Sequence, residues 1–106
     1  MMKNNLPAWL RLWFQGALIG EVYPEIRAIA VGLSEERELV VRYYLDREPD
    51  DFDYESLQAV VSTVLSNTRT DRQIRSTREE CIHSREELSN IDRMGGLVYA
   101  RREYDI

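Results

Sequence analysis

The chain has 106 residues, 43 % of them apolar and 31 % charged, one cysteine and a net charge of −5, which allows one domain with a modest core. A lone cysteine excludes an internal disulfide framework, and no apolar run reaches the length of a membrane span. Net acidity weighs against a nucleic-acid binder, which concentrates lysine and arginine to displace counterions from phosphates.

The first element follows Pro7, a residue at home in the first turn of a helix. Leu6, Leu10, Trp13, Phe14, Ala17 and Leu18 recur at helical spacing, with Trp9, Leu12 and Ile19 widening the stripe. The pattern predicts a helix over residues 7–19, stopped by Gly20. Pro7 and Arg11 also break up any secretory apolar core. Cytoplasmic residence is the expectation.

Two runs rich in β-branched and aromatic residues follow, 25–33 and 38–46, separated by Ser34-Glu35-Glu36-Arg37. They predict a hairpin with a four-residue loop. Leu39, Val41, Tyr43 and Leu45 share one face of the second strand. Val40, Arg42, Tyr44 and Asp46 share the other, expected to be half-wet.

The next stretch, LDREPDDFDYE, holds Asp46, Glu48, Asp50, Asp51, Asp53 and Glu55 against Arg47 alone. Acids and bases balance on either side of it, so the whole net charge resides between Asp46 and Glu55. A calcium loop beginning at Asp46 fails, because its sixth position is Asp51 instead of glycine and its twelfth is Leu57 instead of glutamate. Carboxylates on so polar a segment read as solvated, not as an acid–base pair. Asp50 suits the N-cap of a second helix, with Asp53 as the returning acid of a capping box. Asp51 and Glu55 would lie near the positive end of that helix. Asp46 and Glu48 are left over.

Leu57, Val60, Val61, Val64 and Leu65 then form the apolar stripe of a helix over 51–66, and Asn67 to Asp71 end it. Residues 72–83 read as a strand, with arginines at 69, 72, 75 and 78 falling alternately on its two sides. Cys81 and His83 would share a side there. No orienting group or oxyanion site accompanies them, and one cysteine with one histidine is too few for a metal. Residues 84–93 form a polar loop or helical turn. Gly95-Gly96 lacks the lysine of a phosphate loop and reads as a turn into a last strand over 97–104.

The order α-β-β-α-β-β predicts a single α+β domain over residues 1–106: a mainly antiparallel four-stranded sheet with both helices on one face. Trp9 and Trp13, four apart on the first helix, read as core. Tyr44, with Arg42 and Asp46, forms a candidate recognition patch beside the acidic corner.

Three stretches, GEVYPEIRA (20–28), RYYLDREP (42–49) and LVYARRE (97–103), resemble a family of small bacterial immunity proteins of contact-dependent growth inhibition and other polymorphic toxin loci. The likeness runs from Leu6 to Glu103 and departs most at 72–92, which is rich in arginine and glutamate here. It implies a cytoplasmic, non-enzymatic protein without cofactor or metal that binds the C-terminal domain of a cognate toxin and blocks its active site or groove. Many such toxins are nucleases with basic grooves. An acidic corner of Asp46, Glu48, Asp51 and Asp53, with Tyr44 alongside, could occupy such a groove and speed association. A generic interaction module, or a homo-oligomer using the Trp-rich first helix, is the alternative.

Overall fold

A computed structural model describes residues 6–70 and 72–103. Its elements are α1 (Ala8–Ala17), β1 (Ile26–Leu33), β2 (Glu38–Leu45), α2 (Asp51–Leu65), β3 (Ser76–His83) and β4 (Gly96–Ala100), with a 3-10 turn at Leu88–Asn90 before β4. Pro7 holds the N-cap of α1. Beyond the helix Gly20 takes φ 77°, a left-handed conformation that glycine adopts without a Cβ penalty.

The four strands lie in the order β3-β2-β1-β4. β1 pairs antiparallel with β2 and with β4, but β2 and β3 are parallel, in register from Glu38 opposite Ser76 to Leu45 opposite His83. The sheet is therefore mixed: two of its three pairings are antiparallel, as expected, the third is parallel, and β3 and β4 form its two edges. The cause is α2. It carries the chain back along the sheet, so the next strand starts level with the start of β2 and runs beside it, as a helical crossover requires.

Both helices cover one face. Leu10, Phe14 and Ala17 of α1 and Leu57, Val60, Val61 and Val64 of α2 pack on Ile29, Val31, Leu39, Val41, Tyr43 and Leu45. Trp9 and Trp13 sit at the edge of this core, partly buried, with ring centroids 4.8 Å apart. The strand predicted over 72–83 begins only at Ser76, where the Arg75 and Ser76 N–H groups both donate to the Arg37 carbonyl. Asp71 and Tyr104, which enter the sequence reading, lie outside the described residues.

The second face is not half-wet. The connection from β3 crosses it to reach the far edge, laying Leu88, Ile91 and Met94 over Ala28, Ala30 and Tyr44. Gly95 then makes room for Leu6, which leads into α1: a Cβ there would lie 2.7 Å from Leu6 Cδ2 and 3.0 Å from the Val31 carbonyl oxygen.

Candidate functional site

The acidic stretch wraps the end of the sheet where β2 passes into α2. Asp50 caps the helix: its Oδ1 accepts from the Asp53 N–H at 3.3 Å, and Asp53 Oδ2 accepts from the Asp50 N–H at 2.8 Å. This is the predicted capping box, closed with aspartate in place of glutamate.

Asp53 does more than cap. It stands one turn ahead of Leu57 on the buried stripe and has no exposed surface. Arg47 grips it with two parallel bonds, 2.7 and 2.9 Å long, and Tyr23 Oη donates to it at 2.5 Å. Burial alone would push its carboxyl up. The bonds from Arg47, Tyr23 and the Asp50 N–H outweigh that and hold it at about 2. Tyr23 is pushed up in turn, by burial and by the carboxylate it serves.

Asp46 is also engaged. Arg101 Nη1 donates to its Oδ2 at 2.7 Å and to the Pro24 carbonyl at 2.8 Å. Arg101 pairs further with Glu103, which receives two bonds from the buried guanidinium of Arg27 at 2.7 and 2.8 Å. Arg27 sits at a register shift in β1 and donates to the Ser84 carbonyl. The charges tie the tail after β4 to the same end of the sheet.

Tyr44 is buried beneath the β3–β4 connection, its hydroxyl donating to the Asp92 carbonyl at 2.7 Å and accepting from Arg42. It belongs to the structure of the outer face and presents no surface beside the corner. Of the five residues singled out in the sequence, Glu48 and Asp51 are open to a partner, Asp46 is half-committed to Arg101, and Tyr44 and Asp53 are enclosed.

The open carboxylates at this end are Glu48, whose side chain is 85 % exposed, Asp50, Asp51 and Glu55. Glu48 Oε1 lies 3.1 Å from His83 Nδ1, which joins the corner to the end of β3. Between the acids stand Phe52, 57 % exposed, and Tyr54, with the Phe52 ring set edge-on to Tyr23 at 5.2 Å. Phe52 escaped the sequence reading, although its position off the Leu57–Val60–Val64 stripe marks it as outward-facing. Tyr23 and Arg47 were missed as partners of Asp53; the signal for Arg47 was its place as the lone base among six acids.

Cys81 is buried under α2 and burial pushes its thiol up to about 12, far from a reactive thiolate. Among the described residues no group of three or more His, Cys, Asp or Glu could hold a metal ion, and no helix is long and apolar enough to cross a membrane.

No curated protein matches the chain. The family model described as MafI2 immunity protein matches residues 7–103, from the N-cap of α1 to the glutamate that Arg27 and Arg101 hold, and the chain belongs to that immunity protein family.

Proposed function

We propose that the chain neutralises a cognate toxin domain by binding it in the cytoplasm, with the open acidic end of the sheet as the contact surface. The match to the immunity family over residues 7–103 is the observation that carries this reading. The surface supports it in kind. Glu48, Asp50, Asp51 and Glu55 surround the exposed Phe52 and Tyr54, and a carboxylate rim around an apolar anchor suits a partner with a basic, partly apolar groove. A nuclease domain has such a groove. Asp46 and Asp53 contribute from behind, by fixing the corner, and Tyr44 by holding the connection over the outer face.

The test is protection in cells. Expression of the cognate toxin domain should halt growth, and co-expression of the intact chain should restore it. Continued arrest despite a folded, abundant chain would contradict the reading.

Association of copies through the first helix has one observation in its favour: Leu12 and Ile19 are 66 % and 80 % exposed. A mass that rises with concentration in light scattering, and falls to the monomer in Leu12→Glu, would support it.

A further inference from the structure

The arginines spaced by three, at 69, 72, 75 and 78, have no part in the toxin reading. Of these the structure sets only Arg78 on a strand, within β3. Residues 72–75 precede β3 in a turn that the Arg37 carbonyl draws against the β1–β2 loop, through bonds of 2.8 and 3.4 Å from the Arg75 and Ser76 N–H groups. Arg37, at the end of that loop with φ 66°, thereby meets Arg72 and Arg75 around an open cleft of about 560 Å³, whose remaining lining among the described residues is Glu35 and Glu36.

Arg27, Arg42, Arg47, Arg78 and Arg101 each pair with a carboxylate. Among the described residues Arg37, Arg72 and Arg75 form no ion pair, and in the lining of the cleft these three cations outnumber its two carboxylates, Glu35 and Glu36. Guanidinium forks match the paired oxygens of phosphate groups and hold them with charge-assisted bonds. The cleft lies at the opposite end of β2 from the acidic corner, because Arg37 precedes Glu38 and Asp46 follows Leu45. That separation amounts to roughly 25 Å over eight residues of strand.

We propose that this cleft is a binding site for a compact, multiply charged phosphate-type oxyanion, seated on Arg37, Arg72 and Arg75. Among the described residues the lining contains no aromatic ring on which a base could stack, and Glu35 and Glu36 stand in the path of a long polyanion. The ligand is therefore small and free in solution, of the size and charge of diphosphate.

Pyrophosphate titrated calorimetrically into the full chain at low ionic strength is the test. Saturable binding is expected, weakened at least about tenfold in Arg72→Gln/Arg75→Gln by loss of charge-assisted bonds. It should be unchanged in Arg85→Gln, which lies at another cleft. Both substituted arginines are exposed, and melting curves check that the double variant keeps its fold. In the intact chain, pyrophosphate should shift the amide resonances of Arg37, Arg75 and Ser76. Absence of saturation at millimolar pyrophosphate, equal binding by the double variant, or shifts confined to other residues would overturn the assignment. So would tighter binding of oligothymidylate than of pyrophosphate.

Discussion

Arg47 and Asp53, six residues apart, close the start of α2 on itself: the guanidinium makes two parallel bonds to a carboxylate with no exposed surface. The most acidic stretch of the chain thus spends one of its carboxylates inside, at the point where the second helix begins. Asp53 has an ordinary value of 3.8 and a native value of about 2. A depressed carboxylate contributes stability that is fully present above the unfolded value and is lost as pH falls through the native one. The difference corresponds to about 2 kcal/mol. Asp53→Asn should be less stable than the parent by about 2–3 kcal/mol in urea at neutral pH. Between about pH 5 and 2 the parent should lose most of that advantage. Equal stability of the two at neutral pH would contradict the role given to the pair.

The hydroxyl of Tyr44 anchors the β3–β4 connection through the Asp92 carbonyl at 2.7 Å. Tyr44→Phe keeps the ring and removes that bond, so it should cost about 1 kcal/mol. Protease should then cut preferentially within 84–93. An unchanged cleavage pattern with unchanged stability would show that the connection is held by Leu88, Ile91 and Met94 alone.

Which parts of this architecture were legible depends on range. The stripe Leu57, Val60, Val61, Val64 and the alternation Leu39, Val41, Tyr43, Leu45 are local periodicities, and both face the shared core as read. Asp53 continues the helical stripe by one turn, so its burial was readable, but acidity disguised it. The partner of β3 was not readable, because pairing depends on where α2 delivers the chain and not on the residues of β3. Asp46 looked surplus for a similar reason: Arg101 is 55 positions away. The cover over Tyr44 is hidden in a polar segment whose apolar members, Leu88, Ile91 and Met94, recur every three residues.

Arg101 links Asp46, Pro24 and Glu103, yet it is 30 % exposed, so water screens its ion pairs. Arg101→Ala should cost no more than about 1 kcal/mol globally. Its effect should be local: the amides of β4 should exchange at least about tenfold faster, as the strand opens without unfolding the rest. Exchange at the parent rate would show that β4 is secured by its pairing with β1 alone.

Cys81, with its thiol pushed up to about 12, should resist thiol reagents in the native state. At mildly alkaline pH the thiol stays protonated, and the group is buried besides. Labelling should follow urea unfolding and run at least about a hundredfold faster there than in buffer. Rapid labelling of the folded chain would mean that the end of β3 opens freely.

The acidic surface is tested most directly by the affinity of the chain for its cognate toxin domain, measured at low and high salt, for the parent and for Glu48→Lys/Asp51→Lys. Both residues are exposed, and neither belongs to the capping box or to the Arg47–Asp53 pair. Reversing them should weaken binding at least about tenfold and flatten its salt dependence, chiefly by slowing association. Undiminished affinity with the same salt dependence would contradict the contact surface placed at the start of α2.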